Sequence, residues 1–503
     1  MASRLIVTGA SGFIGRHLLD ALKERHEIVG IARRSQARSG APIHPNITWF
    51  QVDIGDRPGL QDVFSRIGRT DDDVVVHLAA HYDFTGEAHP EYRRTNVDGL
   101  RNVLDLCRAS RPRRLLFSSS LAACAFPRPP DVLTEDSVPD GDHIYAETKR
   151  IGEGMVREYE DAFPSTILRF AALFSDWCEY PPLFLFLDTW LSRAWNARVL
   201  GGRGRSAIPY LHVRDAVSFL ARAVRRADDH DPGEILIGSG DGAVTHAQLF
   251  EVASRDWFGT ARKPVFMPRL LCGPGIHARL LMGRLLGELP FERPWMAKYI
   301  DLSLTVDASR TRRRLGWKPR ERLDILRRMP FLLVLRRSDP HEWNRRNRAA
   351  MKQVRLRPNL IIHALLRKHE PEIASRMTLA LTGQTEDGSA LYPAYRKVPL
   401  DEHRWNHRLV LRQLMNTVLT RQRSLFLDYC RDLAEYRREQ GFDVDQVVGA
   451  LHELNRICIT VLASDPESRE VRKDLHDCIT MNFRFGCDQI EDAYDDDRVR
   501  DGR

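Results

Sequence analysis

The chain has 503 residues and a formal net charge of +8, with 43% hydrophobic, 29% charged and 8% aromatic residues. At about 100–200 residues per domain, this length predicts more than one domain. The composition excludes a disordered, collagen-like or disulfide-scaffold protein, and no apolar run approaches the roughly 20 residues of a membrane-spanning helix.

The positive charge is concentrated in one segment, since residues 301–357 carry 17 Lys and Arg against 6 Asp and Glu. We interpret this belt as a solvated face and do not expect nucleic-acid binding. The eight cysteines form no C-x-x-C pair and no Cys/His ligand spacing, so we expect buried thiols and no metal site. The N-terminus lacks the basic and apolar regions of a signal peptide, which predicts a cytoplasmic protein.

From Leu5 onwards, predicted strands alternate with predicted helices. The strands lie at 5–7, 27–32, 48–52, 74–78, 114–117, 166–169 and 234–237, and the helices at 13–24, 58–67 and 91–109. This alternation predicts an α/β domain with a Rossmann-like, doubly wound parallel sheet. Longer insertions, mainly 174–210 and 240–335, are expected to form a small substrate-binding lobe.

The pattern changes beyond Asp339-Pro340. Residues 341–403 are Arg-rich and poorly periodic, which predicts a basic linker region. Four amphipathic segments with short joins follow and predict an antiparallel bundle. These segments lie at 404–420, 424–439, 443–463 and 466–490. We therefore divide the chain into an α/β domain (1–340), a linker (341–403) and an all-α C-terminal helical bundle (404–497).

Three glycines connect the first predicted strand to the first helix, in Val7-Thr8-Gly9-Ala10-Ser11-Gly12-Phe13-Ile14-Gly15. Glycines at this spacing let the chain turn tightly, bring backbone N–H groups against a pyrophosphate and pack the helix closely on the sheet. Such a triplet also occurs in turns that bind nothing, but its place between a strand and an amphipathic helix favours a dinucleotide. The predicted contacts are Gly9, Ser11, Gly12, Phe13, Ile14 and Gly15.

The end of the second strand bears on the choice of cofactor. Arg33 and Arg34 stand where an NAD-specific site commonly has an acidic residue for the ribose hydroxyls. Since an Arg accommodates a 2′-phosphate, we predict NADP, with NAD as the alternative. Further cofactor contacts are expected after the third and fourth strands. They are Asp53, Ile54, Leu78, Ala79 and Ala80.

Tyr145 and Lys149 lie one turn apart on one face of a predicted helix. A phenol with a pKa near 10 is a poor acid–base group at neutral pH, and a neighbouring cation favours the phenolate. We therefore predict that Lys149 makes Tyr145 a usable proton carrier. The run Ser118-Ser119-Ser120 follows a strand, at the edge where ligands of parallel sheets bind, and its hydroxyls can donate to a substrate oxygen.

Together these motifs resemble the extended short-chain dehydrogenase/reductase superfamily, also called the NAD-dependent epimerase/dehydratase family, over about residues 3–335. Further stretches similar to the family are Thr95–Asn102, Leu168-Arg169-Phe170, Tyr210–Ala216 and Leu315–Pro319. The resemblance implies Tyr145 as the acid–base residue and Lys149 as a ligand of the nicotinamide ribose. It also implies that Ser120 contacts the reacting oxygen and that Asn96 belongs to the cofactor site.

The residues after Ser120 narrow the expected reaction. The family's sugar-nucleotide dehydratases have an Asp-Glu pair there, whereas this chain has Leu121-Ala122-Ala123, so dehydration is disfavoured. The family's epimerases hold NAD tightly, whereas Arg33 and Arg34 favour exchangeable NADP. We predict an NADP-dependent oxidoreductase that interconverts a hydroxyl and a carbonyl. An NAD-dependent sugar-nucleotide epimerase and a non-catalytic NADP-sensing regulatory protein stay as alternatives.

Substrate and partners are predicted more coarsely. Aromatic and aliphatic side chains over 176–190 suit a pocket for an apolar small molecule and suit the core of the lobe equally. The segment 294–299 and the Arg-flanked run 329–335 suit either a peripheral membrane contact or, as we favour, a buried closing element. The bundle carries no catalytic signature, so we assign it to dimerisation, regulation or partner docking and expect a homodimer.

Overall fold

The computed structural model describes residues 3–84, 86–286, 292–351, 358–383, 392–420, 422–472 and 474–500. The chain divides into two compact units, Met1–Arg355 and Leu356–Arg503. Strands occur only in the first unit among these described residues. In chain order they are β1 (Leu5–Thr8), β2 (Ile28–Ala32), β3 (Ile47–Gln51), β4 (Val74–His77), β5 (Arg114–Ser120), β6 (Ser165–Phe170), β7 (Ala172–Phe174), β8 (Val199–Gly201), β9 (Ala207–Ile208), β10 (Tyr210–His212), β11 (Glu234–Gly238), β12 (Val244–Thr245) and β13 (Val265–Met267).

The α-helices of the first unit lie between and after these strands. They are α1 (Phe13–Leu22), α2 (Gln36–Ser39), α3 (Arg57–Ile67), α4 (Pro90–Arg93), α5 (Leu100–Ser110), α6 (Ile144–Glu158), α7 (Pro181–Trp190), α8 (Val213–Arg225), α9 (His246–Phe258), α10 (Arg269–Leu286), α11 (Ser309–Leu315), α12 (Ile325–Ser338) and α13 (Pro340–Met351). A π-helical stretch, Arg94–Gly99, joins α4 to α5. Helices therefore separate the strands much as the alternating pattern predicts.

Seven strands form one parallel sheet in the order β11-β6-β5-β4-β1-β2-β3. This order confirms the predicted Rossmann-like, doubly wound fold. The direction of winding reverses between β1 and β4. A crevice at the carboxyl ends of these two strands is where ligands of open α/β sheets bind.

Both faces of the sheet are buried because its strands are apolar at successive positions. In β1, Leu5 and Val7 point to one face and join a core with Leu18 of α1, whereas Ile6 points to the other face and joins Leu104 of α5. Burial on both faces fixes the register of β1. It therefore fixes where the glycine turn after β1 begins.

A third core forms the lobe of the first unit. Trp190 of α7, Phe250 of α9 and Leu333 of α12 pack together there, and so does Trp343 of α13, which is 2% exposed. Helix α13 thus belongs to the first unit, although the sequence predicts a linker from residue 341. The segment has poor periodicity because charged and polar residues surround Trp343, the large side chain that packs into the core.

The second unit contains α14 (Pro358–Thr382), α15 (Leu400–Thr420), α16 (Ser424–Glu439), α17 (Val444–Ser464) and α18 (Met481–Arg500). Helices α15, α16 and α17 correspond to the first three predicted bundle segments, whereas the fourth, 466–490, is divided among a 3₁₀ helix (Pro466–Val471), a π-helical stretch (His476–Thr480) and the start of α18. Helix α14 occupies the rest of the predicted linker. Its apolar residues, including Ile362, Leu366 and Ile373, are fully buried in the core of this unit, so the predicted bundle begins one helix too late.

Helix α17 is central to the second core. Its residues Leu451, Leu454 and Cys458 are buried there against the other helices. Among the described residues, α17 is also the one helix long and apolar enough to cross a membrane by length and composition, a test that core helices pass as well. The eight cysteines are free thiols, and all except Cys478 are buried.

Candidate active site

The glycine turn after β1 has no room for side chains. Gly9 has a φ of +72°, and a Cβ built on it would lie 2.6 Å from the Ala79 nitrogen. A Cβ on Gly15 would lie 2.5 Å from the Gly9 carbonyl oxygen. Gly12 precedes α1 and provides no side-chain cap for its first N–H groups. This cradle fits the pyrophosphate of a dinucleotide, because backbone N–H groups can approach it closely.

A cavity of about 1370 Å³ begins at this turn and continues along the ends of β4 and β5 to helix α6. Typical pockets for small ligands hold about 300–1,000 Å³, so this one has room for a dinucleotide and a substrate together. Eleven of the predicted site residues line it. They are Gly9, Gly12, Phe13, Ile14, Gly15, Arg34, Leu78, Ala80, Ser120, Tyr145 and Lys149.

The other predicted cofactor contacts are not among the residues that line the cavity. They are Ser11, Arg33, Asp53, Ile54, Ala79 and Asn96. Ala79 supports Gly9 through its backbone, and the Ser11 carbonyl oxygen accepts a hydrogen bond from Arg34. The sequence pattern assigns every residue at a strand end to the cofactor site. In the fold, successive side chains of a strand point to opposite sides, so only some of them reach the ligand space.

Arg33 and Asp53 belong to a network of ion pairs. Arg33 donates to Glu91 at 3.2 Å, and Arg94 joins Glu91 to Asp53, donating to the latter at 2.6 Å. Glu91 is 2% exposed. Burial alone would raise the pKa of Asp53, but Arg33 and Arg94 more than offset it, so this pKa lies below its ordinary value. Both predicted contacts are thus engaged with protein partners.

Asn96 connects two walls of the site. Its Oδ1 accepts from the His81 backbone N–H at 2.7 Å, and its Nδ2 donates to the His81 carbonyl oxygen and to Thr148 Oγ1, each at 3.0 Å. His81 follows β4 and Thr148 lies in α6 between Tyr145 and Lys149. Asn96 therefore holds α6 against the end of β4 and acts as a positioning residue.

Helix α6 brings Tyr145 and Lys149 to the cavity wall, one turn apart, as the spacing predicts. Lys149 Nζ donates to the Ser118 carbonyl oxygen at 2.6 Å and lies 5.7 Å from the centroid of the Tyr145 ring. Burial lowers the pKa of Lys149 to about 8, against a smaller opposite effect of Glu153. Burial also raises the pKa of Tyr145, and hydrogen bonding with Ser120 offsets this only in part. The predicted acidification of Tyr145 by Lys149 is therefore not met, and the phenol keeps its proton at neutral pH.

The serine run divides its hydroxyls between two tasks. Ser119 Oγ donates to Glu153 Oε1 at 2.6 Å, and Glu153 also accepts from Arg169 at 2.8 and 3.0 Å. The Glu153 and Arg169 side chains are both fully buried. Ser120 Oγ instead accepts from the Ala122 backbone N–H at 3.1 Å, and Ser120 offsets part of the rise in the pKa of Tyr145. Of the two neighbouring serines, Ser120 is thus the one whose side chain acts on the Tyr145 phenol.

Aromatic rings enclose Tyr145. Tyr82 stacks on it with 4.1 Å between ring centroids, and His143 lies at 6.2 Å on a nearly parallel plane. Trp295 stacks in turn on His143 at 5.4 Å. Burial lowers the pKa of His143 to about 4, so this ring is neutral at pH 7. The enclosure suits a ligand with an apolar or ring-shaped part.

The two segments considered for membrane contact are both helical, and the second is buried on one side only, since Phe331 and Val334 are 53% and 58% exposed. Residues 294–299 form a short helix, and its Trp295 lines the cavity. The run 329–335 lies in α12, where Met329, Leu332 and Leu333 are fully buried in the lobe core. Within the described residues no three His, Cys, Asp or Glu side chains are grouped as a metal ion would require.

Several site residues were not found from the sequence. Glu153 had a usable signal, because Tyr145, Lys149 and Glu153 repeat at four-residue spacing along one helix face. Tyr82 and Trp295 had none, since Tyr82 reaches the site from an irregular segment and Trp295 from a short helix outside the alternating pattern. Glu91 pairs with Arg33 across 58 residues, a separation that no local pattern reports.

The sheet order, the glycine cradle and the Tyr/Lys pair on α6 define a dinucleotide-binding domain of the Rossmann type. Residues 5–238 match the model of the NAD dependent epimerase/dehydratase family. The match covers less than half of the chain, and it agrees with the resemblance that the motifs carry.

Two proteins with sequences similar to this chain are an uncharacterised bacterial protein and a plant epimerase. An uncharacterised 37.6 kDa protein of Escherichia coli O111:H- is 32% identical over 198 residues, which are 37% of this chain and 58% of that protein. UDP-glucuronate 4-epimerase 4 of Arabidopsis thaliana is 24% identical over 261 residues, or 49% of this chain and 58% of that one. The chain thus spans 58% of the length of each of these relatives.

A solved structure shows the same fold. The UDP-glucuronic acid 4-epimerase of Bacillus cereus, in complex with UDP-4-deoxy-4-fluoro-glucuronic acid and NAD, superposes with a TM-score of 0.50. It is 18% identical to this chain and covers 66% of it and 99% of itself. At this identity the likeness concerns the fold alone.

Proposed function

We propose that this protein is an NADP-dependent oxidoreductase that interconverts a hydroxyl and a carbonyl on an apolar small molecule. The observation that carries this proposal is the single cavity shared by the glycine cradle and by Tyr145, Ser120 and Lys149. A proton-carrying phenol beside a dinucleotide is what a hydride-transfer reaction requires.

Each polar group then has a defined task. When bound, the nicotinamide supplies or accepts the hydride. Tyr145 transfers the proton to or from the substrate oxygen, and Ser120 donates a hydrogen bond to the same oxygen. Tyr145 keeps its proton at neutral pH and can donate it to a carbonyl oxygen that gains charge during reduction. Lys149 binds the nicotinamide ribose and keeps the Ser118 carbonyl in place.

The preference for NADP rests on Arg34. The relative of known structure holds NAD. In this chain β2 ends without an acidic residue, and Arg34 lines the cavity beside the glycine turn. A 2′-phosphate is a suitable partner for its guanidinium. Arg33 forms an ion pair with Glu91, so its contribution to the cofactor site is limited to its positive electrostatic potential.

An apolar substrate is supported by the side chains around Tyr145. Tyr82, Phe84, Tyr180 and Phe186 all line the cavity beyond the cofactor cradle. Helix α7 serves both roles that its sequence suggests, since Phe186 lines the cavity while Leu183 and Leu187 are buried in the lobe core. The proposal further includes a cytoplasmic location and a homodimer. Light scattering of the purified chain tests the homodimer.

A sugar-nucleotide epimerase is the second candidate, because the Arabidopsis thaliana relative carries that name. An epimerase returns the hydride to the same substrate and needs no exchange of cofactor. The two candidates differ in the purified protein. Tightly bound NAD released on denaturation supports the epimerase, whereas reversible NADPH binding supports the oxidoreductase.

Replacing Tyr145 by Phe tests the proposal directly. We expect turnover of NADPH with carbonyl substrates to fall by about 10²–10⁴, because the proton carrier is lost. NADPH affinity, followed by its fluorescence, should stay nearly unchanged. Tyr436→Phe, on an exposed position of α16, is the matched control. Full turnover by the Tyr145 variant would contradict the proposal.

A further inference from the structure

Helix α10 presents an apolar face to the outside. Leu270, Leu271, Leu281 and Met282 are 90%, 58%, 63% and 55% exposed. They stand at positions i, i+1, i+11 and i+12, which lie on one side of a helix with 3.6 residues per turn. Four large apolar side chains on one exposed face are far from the usual scatter of single surface leucines.

Three neighbouring residues extend this face. Val265 and Phe266 of β13 are 53% and 48% exposed, and Trp195, just before β8, is 80% exposed. Strand β13 pairs with β8, and Cys272 Sγ ties the start of α10 to the carbonyl oxygens at the end of β13. We call these seven residues, Trp195, Val265, Phe266, Leu270, Leu271, Leu281 and Met282, the α10 surface.

The other side of α10 faces the cavity. Gly275, Ile276 and Arg279 line it from this helix. Trp195 and Met282 both line the cavity and are exposed to the outside. The α10 surface therefore borders an opening of the cavity.

The segments that carry this surface have charges of one sign, and two carboxylates from other segments offset part of them: Glu292 pairs with Arg279, and Asp301 accepts from the backbone N–H groups of Arg203 and Arg205. Segments 193–205 and 262–286 contain nine Arg and Lys and no Asp or Glu, although the average composition of the chain would give them about five acidic residues. Arg193, Arg198, Lys263 and Arg269 are exposed. An anionic partner complements such a rim, whereas a second copy would bring two basic rims together.

We propose that the α10 surface docks on an anionic lipid bilayer. The leucines of α10 and Trp195 would enter the boundary between headgroups and acyl chains, and the surrounding Arg and Lys would lie at the headgroups. Docking in this orientation turns the cavity opening toward the lipid. For the apolar substrate proposed above, this gives a direct route from the membrane to Tyr145, and that consequence alone rests on the proposed function.

Flotation of the full chain with lipid vesicles tests the docking. We expect the protein to float with vesicles of phosphatidylcholine and phosphatidylglycerol, to float less as salt is raised, and to stay behind with phosphatidylcholine alone. The double variant Leu270→Glu/Leu281→Glu should bind at least about tenfold more weakly, since two charges replace apolar side chains in the interface. Ile43→Glu, at a residue 81% exposed on another part of the unit, should bind like the wild type.

Three outcomes overturn the proposal. The wild type binds neither vesicle; the double variant floats as well as the wild type; or the chain forms a dimer that the double variant breaks without any vesicle binding, which assigns the surface to a second copy. NADPH binding by each variant reports that its domain is folded. If the wild type does not bind NADPH, the proposed function is contradicted, whereas the result on vesicle docking still holds.

Discussion

The ring of Tyr82 lies 4.1 Å from the ring of Tyr145, with 23° between their planes. Tyr82 comes from the irregular segment after β4, whereas Tyr145 comes from the first turn of α6. Burial raises the pKa of Tyr82 well above its ordinary value, with smaller contributions from Tyr180 and Tyr145. Both phenols are therefore neutral at pH 7, and the stack fixes the orientation of Tyr145 without a charge.

Tyr82→Ala should lower kcat/KM about tenfold, because an aromatic pair contributes about 0.5–1.5 kcal/mol and the loss leaves Tyr145 less well oriented. The affinity for dinucleotide should stay the same, since Tyr82 lies beyond the glycine cradle. Steady-state kinetics and dinucleotide titration measure the two quantities. Tyr82→Phe keeps the ring and should retain most of the rate; an equal loss in both variants would show that the hydroxyl, not the stack, matters.

Arg34 and Arg33 should differ in their effect on cofactor choice. Arg34→Asp is expected to shift the preference from NADP toward NAD by at least about tenfold, since its guanidinium lines the cavity. Arg33→Asp should change the preference less, because Arg33 is engaged with Glu91. Comparing Kd for NADPH and NADH in both variants tests this. A larger shift in the Arg33 variant would contradict the geometry.

Gly9→Ala should abolish dinucleotide binding and lower the free energy of unfolding by more than about 2 kcal/mol, because its Cβ would collide with the Ala79 backbone at a φ of +72°. Gly154→Ala is the matched control on α6, where a Cβ meets nothing within 4 Å. It should raise stability by about 0.5–1 kcal/mol, as Ala is the better helix former. Urea unfolding and dinucleotide titration give both results.

Lys149→Met should stabilise the protein at pH 7 by about 2 kcal/mol while reducing activity. The folded-state pKa of Lys149 is about 8, below the ordinary value of 10.5, so at neutral pH the folded chain carries the full cost of burying this charge. Between pH 8 and 10.5 the folded chain releases a proton that the unfolded chain still binds. The wild type therefore gains stability with rising pH in that window.

The gain of the Lys149 variant over the wild type should accordingly shrink as pH rises from 8 to 10.5. Urea unfolding across this range measures it. Lys263→Met, at an exposed position, is the control and should show no such trend. A gain that stays constant with pH would mean that the folded chain does not lower the pKa of Lys149.

Features of the site that depend on short-range geometry were predictable from the sequence. The spacing of Gly9, Gly12 and Gly15 determines a turn within seven residues, and the spacing of Tyr145 and Lys149 determines their common helix face. The doubly wound parallel sheet followed from the alternation of strands and helices. In each case local backbone geometry and burial suffice to set the outcome.

Features that depend on distant partners were not predictable. Whether Arg33 reaches a cofactor depends on Glu91, and the pKa of Tyr145 depends on how deeply α6 is buried rather than on the distance to Lys149 along the chain. Helix α14 was missed although its buried residues Ile362, Leu366, Ile373 and Met377 recur at helical spacing, because Pro371 in its interior argues against a continuous helix. Pairing and depth of burial are properties of the whole fold, so a local pattern reports them poorly.

The contact between Ser119 and Glu153 means that variants of Ser119 and Ser120 lose activity for different reasons. Two adjacent hydroxyls have opposite fates: one is anchored in the interior of the domain, and the other meets the ligand space. An assay of turnover would record the loss of either as a dead enzyme. Loss of Ser119 removes a hydrogen bond to the carboxylate of Glu153, which also pairs with Arg169, so it should lower the melting temperature of the domain as well. Loss of Ser120 should leave the melting temperature unchanged. Thermal melting therefore separates a loss of stability from a loss of catalysis.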